Sequence, residues 1–116
     1  MLSGQGGVFF VILPAMNIDS REVPNEFMLY SAFPNPFNPS TTIRFDLPED
    51  SFVSINIYDM MGRKVKTLIN DNISVGRRSI SWDGTNDLNQ SVSAGTYFYS
   101  INAGRFSDTK KIILLK

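Results

Sequence analysis

The side chains that most often carry out catalysis are missing from this sequence or scattered along it. Its 116 residues include no cysteine and no histidine, which excludes thiol nucleophiles, disulfides, zinc–thiolate sites and histidine acid–base chemistry. Carboxylates stand at Asp46, Asp59 and Asp83, but their spacing pairs none of them across a cleft. There is also no glycine-rich phosphate loop and no nucleophile elbow. We therefore predict a protein that is not an enzyme and takes no cofactor and no small-molecule substrate.

Oxygen ligands are concentrated in one loop, WDGTNDLNQSVSAG. Its Asp83, Asn86, Asp87 and Asn89 could hold calcium, which prefers carboxylate and amide oxygens. The same residue types are typical of turns, because their side chains hydrogen-bond the local backbone. The spacing does not match an EF-hand and no glutamate closes the site. We favour a plain turn and predict no metal, with calcium near Asp83 and Asp87 as the alternative.

An aromatic stretch, Tyr97-Phe98-Tyr99, could stack against a carbohydrate. On a strand, alternation places both tyrosines on one face and Phe98 on the other. Core packing is the better explanation for at least one of these faces.

A basic group near the end of the chain could bind an anionic partner. It comprises Arg105, Lys110, Lys111 and Lys116, with Asp108 as the only acid among them. Lysines there are equally typical of an edge strand protected from aggregation, so both interpretations stay open.

The overall charge argues against one class of partner. With 11 basic and 11 acidic residues the formal net charge is zero, so the basic excess that nucleic-acid binding requires is missing. The charge is uneven along the chain, since residues 1–59 carry a net −5 and residues 60–116 a net +5.

The elements that would position these residues have the two-residue period of strands. Apolar side chains alternate with polar ones in Thr42–Leu47, Val53–Tyr58 and Thr96–Asn102, and no segment has a helical period. Short strands separated by turn-forming residues predict an all-β fold, an antiparallel immunoglobulin-like β-sandwich of about seven strands. The expected core lies around Phe45, Ile55, Trp82 and Tyr97.

Three connections between the predicted strands can be specified. Gly62, near the end of the connection after Asp59, suits a hairpin residue with positive φ. Residues 70–76 are predicted to be a loop. Ala103-Gly104 is predicted to be a two-residue turn, which would set Ile101 opposite Phe106.

A proline-rich segment precedes the first clear strand. Pro34, Pro36 and Pro39 fix φ and keep the residues before them out of the helical region. We expect Phe33 and Phe37 to pack down as anchors, so that the segment sets the start of the domain.

Three motifs in this order resemble a known family. FPNPFNPSTTIRFDLP, IYDMMGRKV, and WDGTNDLNQSVSAGTYFYSI followed by TKKIILLK are similar to the opening, central and closing motifs of the C-terminal sorting domains of type IX secretion cargo proteins. Part of the YD..GR and WDG pattern also resembles the immunoglobulin-like domain of flagellar hook-capping proteins. The resemblance assigns the sorting motif to Pro34, Asn35, Pro36, Phe37, Asn38, Pro39, Ser40, Thr41, Tyr58, Asp59, Gly62, Arg63, Val65, Gly95, Tyr97, Lys110 and Lys111.

This resemblance implies a non-catalytic label that directs an attached cargo protein to the cell surface or medium. Its partners would be the outer-membrane machinery of the type IX system and a sortase-like peptidase that removes the label. We also expect three parts: a remnant strand of a preceding domain over residues 1–14, a linker over 15–26, where the sequence is polar and has no clear period, and the sorting domain over 27–116. A carbohydrate-binding or adhesive module of an extracellular protein, or a structural spacer, is the alternative.

Overall fold

The computed structural model describes residues 23–116, so the expectations for residues 1–14 and for most of the linker fall outside the described residues. Within them lie seven strands: β1 (Met28–Leu29), β2 (Thr41–Leu47), β3 (Ser51–Tyr58), β4 (Lys64–Ile73), β5 (Gly76–Trp82), β6 (Gly95–Ala103) and β7 (Phe106–Leu114). They form two antiparallel sheets, ordered β1-β2-β5 and β4-β3-β6-β7. The predicted immunoglobulin-like sandwich is thereby confirmed. None of the described residues belongs to a helix that could span a bilayer.

The core is built by the alternation that the sequence shows. Every second residue of the central strands is buried, which in β3 means Val53, Ile55 and Ile57. Trp82 is 1% exposed, and its ring centroid lies 5.4 Å from that of Phe37 and 5.3 Å from that of Tyr97. The burial expected for Trp82 is confirmed.

The hydroxyl of Tyr99 ties the four-stranded sheet to the segment after β1. It donates a hydrogen bond to the carbonyl oxygen of Tyr30 and accepts one from the backbone N–H of Ala32, both at 2.8 Å. Burial raises the pKa of this hydroxyl. A tyrosine that the sequence pattern assigns only to the core therefore also satisfies two backbone groups.

Two predicted connections differ in the structure. The expected loop at residues 70–76 is mostly strand, because Asn70, Asp71 and Asn72 pair with β3, which leaves only two residues between β4 and β5. Partner backbone groups on β3 outweigh the low strand propensity of these polar residues.

The prediction that Ala103 and Gly104 form the turn between β6 and β7 is also wrong. It consists of Gly104 and Arg105, so Ala103 lies opposite Phe106 and Ile101 opposite Asp108. Gly104 has a φ of +59°, and a hairpin turn places its glycine within the loop. The small, fully buried Ala103 can then end the strand.

Phe33 is not an anchor. It is 75% exposed, whereas Ala32 is buried and Phe37 is 1% exposed. The backbone of Phe33 exchanges two hydrogen bonds with Thr42, and on such an extended pair alternate side chains point to opposite faces. Ala32 therefore faces the core and Phe33 faces outward.

Candidate functional site

The three motifs lie at one end of the sandwich, which we call the motif end. Thr41, which begins β2, pairs with Trp82, which ends β5. Tyr58, which ends β3, pairs with Phe98 near the start of β6. The last residue of β7, Leu114, forms a parallel bridge with Phe37 of the proline-rich segment. The proline-rich segment, the 59–63 hairpin, the 83–94 loop and the end of β7 therefore adjoin one another.

The first motif closes part of the free edge of β7. The N–H of Phe37 donates to the carbonyl oxygen of Ile113, and the N–H of Leu115 donates to the carbonyl oxygen of Phe37, both at 2.9 Å. The side-chain amide of Asn35 adds two bonds: its oxygen accepts from the N–H of Ile113 at 3.0 Å, and its nitrogen donates to the carbonyl oxygen of Lys111 at 3.2 Å. The first and third motifs are thus bonded directly.

The proline-rich segment is also held internally. The hydroxyl of Thr41, which is 1% exposed, donates to the carbonyl oxygen of Pro34 at 2.7 Å. The peptide bonds before all three prolines are cis. Pro34, Pro36, Asn38, Pro39 and Ser40 are exposed, so this part of the motif presents its surface to solvent.

The second motif folds around one carboxylate. One oxygen of Asp59 accepts the N–H groups of Met61 and Arg63 at 2.9 and 3.0 Å, while the other accepts the Arg63 Nε–H at 3.0 Å. The hydrogen bond from the Arg63 backbone is the main cause that holds the pKa of Asp59 below its usual range. Gly62 has a φ of +82°, which confirms the turn residue expected there.

The second and third motifs share a shallow cleft of about 370 Å³ beside this hairpin. Its walls include Asp59, Arg63 and Val65 of the second motif, and Gly95 and Tyr97 of the third. Two methionines at its rim, Met60 and Met61, are 67% and 78% exposed. The cleft thus presents the flexible apolar side chains of the two methionines beside the Asp59–Arg63 ion pair.

The oxygen-rich loop is organised by a lysine that sequence reasoning missed. The ammonium group of Lys66 donates to Thr85 Oγ1 at 3.0 Å and to the Asn86 carbonyl and Asn89 Oδ1 at 3.3 Å. The ammonium thus lies among oxygens of the loop to which the alternative interpretation assigned calcium, and it bonds to two of the residues named there, Asn86 and Asn89. Alternation gives no signal for it, because a register shift between Ile57 and Tyr58 places Lys66 opposite the buried Ile57 while Lys64 lies opposite the outward-facing Tyr58.

The other oxygens of this loop are bonded to neighbouring groups. Asp87 accepts the N–H of Thr67 at 3.0 Å, and Asn86 accepts those of Leu88 and Gln90 at 2.9 and 3.0 Å. The Thr85 hydroxyl bonded to Asp83 is the main cause of a lowered pKa at that carboxylate. Among residues 23–116 no group of three or more acids is placed to hold a metal.

The basic group is divided by the fold. Lys111 is exposed on the outer face of the four-stranded sheet, opposite Phe98, whereas Lys110 is half-buried opposite Tyr99. Arg105 lies in the β6–β7 turn at the other end of the sandwich. The tyrosines proposed as a stacking platform, Tyr97 and Tyr99, are 5% and 0% exposed, which confirms that their face packs in the core.

Comparison with known proteins agrees with this geometry. A family described as secretion system C-terminal sorting domain matches residues 31–115. The chain is also similar to the crystal structure of FlgD from P. aeruginosa, with a TM-score of 0.51 and 24% identity over 64% of this chain and 58% of that one. It is similar as well to PorZ of Porphyromonas gingivalis, described as an essential surface component of the type IX secretion system, with a TM-score of 0.51 and 15% identity over 79% of this chain and 12% of that one.

These comparisons differ in what they establish. At such identities the two solved structures support the fold, and the chain spans less than two thirds of either protein. No curated protein matches the chain. The family match covers most of the chain and includes every residue of the three motifs except Lys116, so the chain belongs to the secretion system C-terminal sorting domain family.

Proposed function

We propose that residues 27–116 are a non-catalytic label that directs an attached cargo protein through the type IX secretion system to the cell surface or medium. The observation that carries the proposal is the meeting of all three motifs at the motif end. The side chain of Asn35 is hydrogen-bonded there to Lys111 and Ile113, which follow it by 76 and 78 positions in the chain. A receptor that read this end would meet a preorganised surface, and preorganisation lowers the entropy lost on binding.

Two features of the motif end suit recognition by the outer-membrane machinery. The cleft beside the 59–63 hairpin offers exposed methionines, and methionine adapts to varied partner surfaces. The edge of β7 is covered by the proline-rich segment only from Lys111 onward, and in the described chain no strand lies beside Ser107 and Thr109. That part of the edge is open to strand addition.

Removal of the label by a sortase-like peptidase belongs to the same proposal. Phe27 stacks on Phe106 with ring centroids 5.5 Å apart, so the sandwich is held from Phe27 onward. A cut within residues 15–26 or just before Phe27 would release cargo and leave β1–β7 intact. Mass spectrometry of the released fragment tests this, and a cut inside residues 41–67 would contradict it.

A secretion assay tests the function. A passenger protein with a signal peptide for export to the periplasm is fused to residues 27–116 and produced in a host with a type IX system. Fractionation then compares passenger in the medium or on the surface with passenger retained in the periplasm. We expect export in this host and retention in a strain that lacks the system.

Charge variants test whether the secretion machinery recognises the motif end. Lys111→Glu reverses an exposed charge there, and Arg105→Glu makes the same change in the exposed turn at the opposite end. We expect retention of the first fusion and export of the second, with circular dichroism showing that both are folded. Retention of the unaltered fusion, or its export without the system, would show that the sorting proposal is wrong.

A further inference from the structure

The outer face of the four-stranded sheet carries two aromatic rings between two lysines. Cross-strand pairing aligns Lys64 of β4, Tyr58 of β3, Phe98 of β6 and Lys111 of β7 in one row across the sheet. Both lysines are exposed and both aromatic residues are partly buried. Strands lie about 4.8 Å apart, so the row spans roughly 14 Å between its outer backbones.

This face has no negative charge over its described residues. The rows beside the aromatic pair consist of neutral polar side chains: Thr67, Asn56, Ser100 and Thr109 in the first, and Asn70, Ser54, Asn102 and Ser107 in the second. Asp108 and Asp71 lie opposite the buried Ile101 and Val53, and so belong to the inner face. The only charges that the outer face presents are therefore those of Lys64 and Lys111.

The polar rows have unused hydrogen-bonding capacity. Within residues 23–116, the side chains of these rows make a single bond to each other, from Asn56 to Ser54 at 3.1 Å. The other hydroxyl and amide groups are free to meet a ligand. None of the outer-face residues is buried, so no described element covers the face.

We propose that this face binds an anionic polysaccharide. The flat pair Tyr58–Phe98 suits the apolar C–H face of a sugar ring, because aromatic rings offer a large surface with negative charge above it. The hydroxyl and amide rows suit sugar hydroxyls, and Lys64 and Lys111 suit acidic groups a few sugar units apart. The row lies at the motif end and shares Tyr58 and Lys111 with the sorting motif, but binding of a polysaccharide by the isolated chain requires no secretion machinery.

An acidic protein fits the same charges less well. Protein partners add a strand to an edge or insert apolar anchors into a groove, and this face is neither an edge nor a groove. A cross-strand aromatic pair also stabilises a sheet by itself, so the test must separate binding from folding.

Titration calorimetry with the full 116-residue chain tests the proposal. The probes are polygalacturonate, which is acidic on every sugar, neutral dextran, and poly-L-glutamate as an acidic polypeptide. We expect binding to polygalacturonate that weakens as salt rises toward 0.15 M and exceeds binding to both other probes. Equal binding of poly-L-glutamate would overturn the proposal in favour of an acidic protein.

Matched variants locate the site. The double variant Lys64→Gln with Lys111→Gln should weaken polygalacturonate binding by about tenfold at low salt. Phe98→Leu should also weaken this binding, and the thermal midpoint of the variant should show that the domain is still folded. Arg44→Gln with Arg77→Gln removes the same charge from the opposite sheet and should leave binding unchanged. Equal loss in that control, or full binding by Phe98→Leu, would overturn the proposal.

Discussion

The side chain of Asn35 occupies the position of a neighbouring strand beside Ile113, whose backbone N–H it accepts at 3.0 Å. Its amide nitrogen donates to the carbonyl oxygen of Lys111 at 3.2 Å. One side chain thus continues the backbone pairing between Phe37 and β7. The relationship explains how a proline-rich segment, which lacks three backbone donors, can still cover a sheet edge.

Asn35→Ala should lower the free energy of unfolding by about 1–2 kcal/mol, because two hydrogen bonds from this exposed side chain to the β7 backbone are lost. Amide hydrogen exchange at Ile113 should become faster. Asn38→Ala is the matched control, since Asn38 is exposed in the same motif and makes no side-chain hydrogen bond within residues 23–116. Equal stability of the two variants would show that the Asn35 contacts contribute nothing.

Trp82→Ala should cost about 3–5 kcal/mol, as expected for a large cavity in a core. The side chain packs against Phe37 and Tyr97 and donates to the carbonyl oxygen of Thr85 at 2.9 Å. Urea unfolding followed by circular dichroism measures the change. Trp82→Phe keeps an aromatic ring and should cost less, and an unchanged midpoint in the alanine variant would contradict this account of the core.

Tyr99→Phe should cost about 1–3 kcal/mol, because it leaves the buried N–H of Ala32 without a partner. Tyr97→Phe is the control: its hydroxyl donates to the carbonyl oxygen of Ser93 at 2.6 Å, and Ser93 is exposed, so water can replace the bond. Thermal unfolding should show the larger loss for Tyr99→Phe. The reverse order would mean that the contacts with residues 30 and 32 are unimportant.

Asp59→Asn should remove a pH-dependent part of the stability. The folded-state pKa of Asp59 is lowered from 3.8, so its contribution is fully present above the unfolded-state pKa and is lost as pH falls through the folded-state pKa. The wild type should therefore exceed the variant in stability at neutral pH, and the difference should shrink below about pH 4. A difference that stays constant down to pH 2 would contradict the assignment.

Calcium should leave the thermal midpoint unchanged, because the Lys66 ammonium already bonds to three oxygens of the loop and its positive charge disfavours a second cation there. Lys66→Met keeps the apolar stem and removes the charge, and it should lower the midpoint and speed proteolysis of the loop. Thermal scans with calcium and with chelator compare the two proteins. A calcium-dependent rise in the wild type would instead favour a metal site near Asp83 and Asp87.

The fold class and most of the core were predictable from the order of the amino acids. Alternation placed Phe45, Ile55 and Tyr97 inside correctly, because successive side chains of a strand point to opposite faces. The hairpin glycine Gly62 was equally predictable, since few other residues adopt a φ of +82°. These features depend on residues close together in the chain, and a local pattern is enough to predict them.

The contacts between residues far apart in the chain were not predictable in this way. Asn35 contacts β7 across 76 and 78 positions, and Lys66 reaches its loop across 19 to 23. The polar end of β4 became strand because β3 offered backbone partners. In each case a polar group is hydrogen-bonded to a partner that folding brings beside it. Backbone N–H and C=O groups must find such partners when they leave water. Which partner they find depends on how the two sheets pack, and not on the residues next to them in the chain.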